Sequence, residues 1–340
     1  MAVSSSSSAA ESGVQADFES LEQAANWYAL LHADGGSGEH RHAWAQWLAE
    51  RPEHRRAWAH VEAVSRRFEP LRGESAGERN AAAAAVHVSA TRAASRRHVL
   101  GSLAALAGTG LAGWFAWRFT PLADRVIAWR SDYRTGVGER RDVQLADGTR
   151  VWVNTDSAFD VHYDDTRRLL TLTMGEILID TAKDTQGRPF FVDTSNGRMQ
   201  ALGTRFTVRQ SGTHTLLAVF GGRVEIRNRA GHVEIVPAGQ QRQFTADAIY
   251  APERADPARE AWSRGVILAD DVTLDVLIAE LDRYQHGHIG VDPAVAGLRV
   301  VGRFPADHPE QMLAMLERDL PIRVRRTLPW WVTIEARQPA

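Results

Sequence analysis

Apolar positions fall into four successive patterns along the chain. From Ser20 the apolar residues Leu21, Ala24, Tyr28 and Leu31 recur at helical spacing, and Ser20 with Gln23 fits a capping box at the head of that helix. "DGGSG" ends it. A second helix in "EHRHAWAQWLAE" carries Trp44, Trp47 and Leu48 on one side, and Pro52 suits the first turn of a third through Trp58, Val61, Val64 and Phe68. The pattern predicts a small all-α bundle over residues 17–72, built around tryptophans. Residues 1–16 before it are a Ser/Ala tail with too few apolar groups to fold, and 73–97 turn to Ala, Gly and Ser, as a tether does.

The second pattern has no period. Val99 to Trp117 is a run of nineteen residues without a charge, close to the roughly 20 needed to cross the hydrocarbon of a bilayer. Four glycines (Gly101, Gly108, Gly110, Gly113) would weaken a helix in water but are common in membrane spans. One transmembrane helix is therefore expected over 98–119, with Trp114, Trp117 and Arg118 as its interfacial anchor. Arginines near the two ends balance, so orientation rests on local order: Arg96 and Arg97 abut the run as the basic region of a signal does, and "SRRHVL" resembles the twin-arginine export motif. That order leaves residues before the run in the cytoplasm and those after Thr120 outside it.

Period two begins at Tyr133, with turn signals every eight to twelve residues. "VQLADGTRVWV" reads as a hairpin turning at Asp147-Gly148, with Val143, Leu145, Val151 and Val153 on a shared face. "LLTLTMGEILIDTA", "PFFVDTSNGRMQALGTRFTVR" and "HTLLAVFGGRVEIRN" supply further strands, so residues 130–250 form an all-β domain, a sandwich, barrel or rolled sheet. Phe190, Phe191 and Phe206 are expected in its core, and Gly175 at a tight backbone position. Residues 260–337 then alternate helix and strand: a helix in "TLDVLIAELDRY", strands "HIGVD" and "LRVVGRF", a helix in "HPEQMLAMLERDL", and strands "IRVRR" and "WWVTIEA". A small α+β domain follows from that order.

Composition removes chemistry rather than adding it. The 340 residues include no cysteine, which excludes disulfides, thiolate metal sites and cysteine nucleophiles. Over residues 17–72 seven arginines face nine acidic residues, so the basic stripe needed for phosphate contact is missing and protein binding is the better reading of the bundle. Its histidines His32, His40, His42, His54 and His60 form no closed ligand set and read as solvated helix residues; His286 and His288 suit a helix C-terminus, and no metal or cofactor is expected. Neither G-x-S-x-G nor H-E-x-x-H occurs, which speaks against an exported hydrolase or carbohydrate-binding β protein and for a chain that is not an enzyme.

The chain resembles the FecR-type membrane regulators of bacterial cell-surface signalling. "AANWYALLHADGGSGEHRHAWAQWLAERPEHRRAWAHVE" is similar to their Trp-rich cytoplasmic anti-sigma domain. The order "GERRDVQLADGTRVWVNTDS", "RRLLTLTMGEILIDTA", "RPFFVDTSNGRMQALGTRF" is similar to their periplasmic β domain. The last domain looks like the short N-terminal signalling module of secretins and TonB-dependent receptors. The resemblance implies a single-pass inner-membrane protein with its N-terminus in the cytoplasm. It would hold an extracytoplasmic-function sigma factor there and meet the periplasmic signalling domain of a TonB-dependent outer-membrane receptor, commonly a ferric-siderophore importer; another envelope signal is the alternative. It also implies self-cleavage at a Gly-Thr bond, here Gly203-Thr204, followed by trimming by envelope proteases. A bend or bulge in a strand accounts for the same dipeptide structurally. Trp27, Trp44, Trp47 and Trp58 are either core of the bundle or sigma contacts.

Overall fold

The computed structural model describes residues 17–32, 38–73 and 131–337. The Ser/Ala tail, residues 34–37 of the "DGGSG" break, the tether beyond Gly73, the uncharged run expected to span the membrane, and Arg96 with Arg97 lie outside the described residues. No described helix is long and apolar enough to cross a membrane. The described residues form two compact units: the N-terminal helices with 271–301 and 308–337, and residues 131–270 with 302–307.

In the first unit the three predicted helices are present as α1 (Phe18–His32), α2 (Gly38–Glu50) and α3 (Pro52–Gly73). The start of α1 differs from the expected capping box. Asp17 is the cap: its carboxylate accepts the Ser20 N–H at 2.8 Å and the Ser20 hydroxyl at 2.9 Å, which buries Ser20 inside the first turn. A carboxylate there satisfies two donors where a serine would satisfy one. Gln23 is drawn elsewhere, accepting the Trp47 indole N–H at 2.7 Å. His54 is buried rather than solvated, stacked on Trp47 at 4.3 Å with its Nδ1 2.6 Å from the Trp47 carbonyl, so it ties α3 to α2.

The second unit is a rolled sheet. Its strands are β1 (Tyr133–Arg134), β2 (Arg141–Gln144), β3 (Arg150–Val153), β4 (Ala158–Tyr163), β5 (Arg168–Asp180), β6 (Phe190–Thr194), β7 (Gly197–Ala201), β8 (Arg205–Ser211), β9 (His214–Gly221), β10 (Arg223–Asn228), β11 (Val233–Pro237), β12 (Gln240–Phe244) and β13 (Glu253–Arg254). The long strand β5 belongs to two ladders. Residues 168–174 pair with β4 and with β6, continuing through β7 to β10 and β11; residues 175–180 pair with β3 and β8, continuing to β9, β12 and β13. The changeover falls at Gly175, whose φ of 84° is one that only glycine adopts cheaply, and a Cβ there would lie 2.2 Å from Ser157 Oγ and 2.5 Å from Ser157 Cα. Alternation then places Leu170, Leu172, Ile177 and Ile179 of β5 in one core with Phe159, Phe190, Phe206 and Phe244. Phe191, expected in that core, is on the other face of β6 and is covered by Arg198 at 5.2 Å, because strict alternation admits only one of two consecutive phenylalanines.

Asp147 does more than turn the hairpin. Its side chain is all but buried and accepts from the Thr149 N–H and hydroxyl, from Tyr163 Oη–H, and from Arg168 at 2.7 Å. Arg168 also donates to the carbonyls of Ala182 and Arg188, tying the β5–β6 connection to the β2–β3 hairpin. Burial pushes the Asp147 carboxyl up, but its bonds with Thr149 and Arg168 outweigh that and hold it below its ordinary 3.8.

The C-terminal elements are α4 (Ala258–Ala261), β14 (Val266–Thr273), α5 (Leu274–Leu281), β15 (His288–Val291), α6 (Pro293–Ala296), β16 (Arg299–Pro305), α7 (Pro309–Asp319), β17 (Ile322–Leu328) and β18 (Trp331–Ala336); the six predicted ones occur in the predicted order, and α4, β14 and α6 are additional. In the first unit β18 lies between β15, parallel to it, and β17, antiparallel. Leu274, Leu277, Ile278 and Leu281 of α5 and Met312, Leu313 and Leu316 of α7 are buried, as their helical spacing requires.

Two outcomes are expected. Gly175→Ala should destabilise the β unit by about 2 kcal/mol or more, read as a lowered urea midpoint, because both the backbone angle and Ser157 resist a side chain. The contribution of Asp147 to stability should be level above about pH 5 and fall as pH drops through the ordinary carboxylate range, since the unfolded chain takes up the Asp147 proton before the folded one does. Urea titrations from pH 3 to 7 on wild type and Asp147→Asn check this: the variant should be weaker at pH 7 and should have a shallower acid slope.

Candidate functional site

The dipeptide Gly203-Thr204 forms the corner between β7 and β8. Gly203 has φ 74° and is exposed, so its backbone bends in a way that β-branched residues resist. Thr204 turns inward and is buried, and its Oγ1 has no hydrogen-bond partner among the described residues. The bend is followed by a register shift between Arg205 and Phe206 on the ladder with β9, so the expected bulge is present too.

Two neighbouring segments close around this corner. From the end of β5, Thr181 Oγ1 accepts the Thr204 N–H at 2.8 Å, and the Thr181 N–H and hydroxyl both donate to the Thr204 carbonyl, at 3.0 and 3.1 Å. Gly222, the single residue between β9 and β10, lies against the Gly203 carbonyl: a Cβ on it would fall 2.2 Å from that oxygen. Arg205 is held beside them by Asp180 at 3.3 Å and Glu260 at 3.1 Å, over the Trp152 ring. Chemically, the corner offers a buried hydroxyl, unpartnered among the described residues, on the residue that follows an exposed glycine.

The tryptophans of the bundle sit together. Trp47 is buried, and Trp27, Trp44 and Trp58 are partly buried against the same cluster, with Trp44 and Trp58 rings 4.9 Å apart. The Trp44 indole N–H is buried without a partner among the described residues. The cluster also contains Trp330 and Trp331 of the C-terminal segment: Tyr28 meets Trp330 edge-on at 5.4 Å, and Glu22 bonds Arg325 and Thr333 at 2.5 Å each. His288, at the start of β15 rather than at a helix end, packs on Trp331 at 4.2 Å; burial, with His60 beside it, pulls its pKa down to about 4.

Sequence reasoning identified Gly203 and Thr204 but missed Thr181 and Gly222. Nothing local marks them. They lie 23 and 18 positions away from Thr204, and Thr204 meets them only because β5, β8 and β9 are neighbours. The Trp330-Trp331 pair was visible in sequence, but which surface it would cover was not.

Comparison with known proteins agrees with this division of the chain. Residues 131–225 match the FecR protein family, and residues 22–64 match a domain of unknown function, DUF4880. No curated protein matches the sequence. Among solved structures, a crystal structure of a candidate anti-sigma factor from Parabacteroides distasonis ATCC 8503 is similar in fold, with 23% identity, a TM-score of 0.50, and coverage of 60% of this chain and 98% of that one. A second crystal structure of a candidate anti-sigma factor from the same organism has 23% identity and a TM-score of 0.49, with 60% and 97% covered. The β unit thus carries the match to the FecR protein family, and the helices α1 to α3 carry the DUF4880 match.

Proposed function

We propose that this protein is a single-pass inner-membrane anti-sigma regulator whose helical domain holds an extracytoplasmic-function sigma factor in the cytoplasm. The observation that carries the reading is the order of parts: DUF4880 helices, an uncharged run long enough to span a bilayer, then a FecR domain. The fold of the Parabacteroides candidate anti-sigma factor supports it at the level of architecture. In this reading the C-terminal domains are periplasmic and receive the signal from the periplasmic signalling domain of a TonB-dependent receptor, with siderophore uptake genes as the regulated set. Self-cleavage at Gly203-Thr204 and later trimming by envelope proteases carry that signal across the membrane. A lone spanning helix has few packed neighbours to give it two stable positions, and cutting the chain avoids that difficulty.

The reading has a structural consequence. A chain crossing the bilayer once places α1 to α3 and the β15–β18–β17 sheet on opposite faces, so the core they share through Trp330 and Trp331 must be open in the inserted protein. Opening it bares an apolar face on each side. On the helices this face includes Ala24, Ala25, Ala57 and Val61; on the sheet it is the tryptophan pair. Each is suited to a protein partner.

Two measurements test this. The full chain in detergent should capture a purified sigma factor of the extracytoplasmic class from the same genome. Trp27→Ala, Trp44→Ala and Trp58→Ala should each lower capture on the order of tenfold with helix content retained; absence of any complex would sink the anti-sigma reading. Because the chain has no cysteine, the pair Glu22→Cys and Thr333→Cys reports on topology directly. In sealed inner-membrane vesicles a bismaleimide should not join the two, and efficient intrachain cross-linking there would overturn a single crossing.

A further inference from the structure

The corner at Gly203-Thr204 is built from three segments, and only one of them contains the bond. We propose that Thr181 is the positioning residue for self-cleavage of that bond, an inference that rests on the self-cleavage reading above and names the group that prepares it. The argument starts from what Thr204 lacks. Its hydroxyl is buried and has no partner among the described residues, an arrangement that costs stability. Its backbone, by contrast, is held on both sides by one residue: Thr181 Oγ1 takes the N–H, and the Thr181 N–H and hydroxyl take the carbonyl. Three bonds from a strand end thus fix residue 204 while leaving its nucleophile free.

The step needs that fixation. Thr204 Oγ1 bonds to the Gly203 carbonyl carbon, the bond from that carbon to the Thr204 nitrogen breaks, and the proton leaving Oγ1 ends on that nitrogen, which becomes an amine. Solvent water then splits the new ester, leaving a carboxyl group on Gly203 and returning a hydrogen to Thr204 Oγ1. The nitrogen that departs already points its hydrogen at Thr181 Oγ1, 2.8 Å away, and an amine makes the same bond, so the hydroxyl holds the leaving group through the step. Gly203, an exposed residue, contributes the left-handed bend. Gly222 contributes room: any side chain on it would strike the oxygen of the carbonyl whose carbon is attacked.

Full-length chain with a different epitope at each end, as wild type, Thr204→Ala, Thr181→Val and Thr181→Ser, decides the matter. Fragment appearance is followed with and without hydroxylamine, which cleaves the ester but not the amide. Wild type should give two fragments, of about 203 and 137 residues from a cut after Gly203, and Thr204→Ala none. Thr181→Val, equal in shape but without the hydroxyl, should slow fragment formation on the order of tenfold or more, and hydroxylamine should not restore it because the ester itself forms slowly. Thr181→Ser should recover most of the rate. Cleavage of Thr181→Val at the wild-type rate, or its failure to be rescued by serine, overturns the role of Thr181 while leaving self-cleavage standing. A wild-type chain that stays whole even with hydroxylamine overturns both.

Discussion

The β unit depends on one backbone constraint, the left-handed bend at Gly175. Strand β5 can serve two ladders only if it changes direction between Met174 and Glu176, and Ser157 leaves no room for a side chain at the turning point. Ser157 also bonds across the bend: its Oγ accepts the Glu176 N–H at 2.9 Å and donates to the Thr155 carbonyl. Beside it the buried Glu176 carboxylate accepts from Asn154 at 2.9 Å. The polar groups exposed by the bend are therefore satisfied inside the protein, which is what allows a buried strand to bend at all.

The two ends of β5 then carry different duties. At its start Arg168 reaches Asp147 and the carbonyls of Ala182 and Arg188, closing one edge of the roll with a buried ion pair whose loss would strand a charge. Just past its end Thr181 reaches Thr204. A single rigid strand therefore sets the position of the corner relative to the rest of the core. The corner is placed by an element fixed at both ends rather than by the loop that contains it.

The helical bundle is held differently. Its apolar residues are small or amphipathic: Ala24, Ala25, Ala57 and Val61 are buried with the four tryptophans around them, and the tie between α2 and α3 is the stacked His54 and Trp47. Part of what covers that cluster comes from Trp330 and Trp331. A core completed by another segment is also one that another protein can complete, and this is the physical link between the packing of this unit and a binding role for the same face.

Local pattern was enough for the element types. Helical spacing found α1 to α3, α5 and α7. Alternation found β2, β3 and β5 to β10, and Asp147-Gly148 and Gly175 announced their turns, because periodicity and glycine reflect steric rules that act within a few residues. The resemblance to FecR proteins lay in the order of motifs, two of whose segments match family models over residues 22–64 and 131–225. Tertiary structure decided the rest: that Asp17 caps α1, that Phe191 faces away from the core, that Asp147 is an anchor for Arg168, and that Thr181 and Gly222 meet Gly203-Thr204. Each of those is a contact between residues competing for the same donor, face or space. Such competition is settled by strand register and packing, which no short stretch of sequence contains.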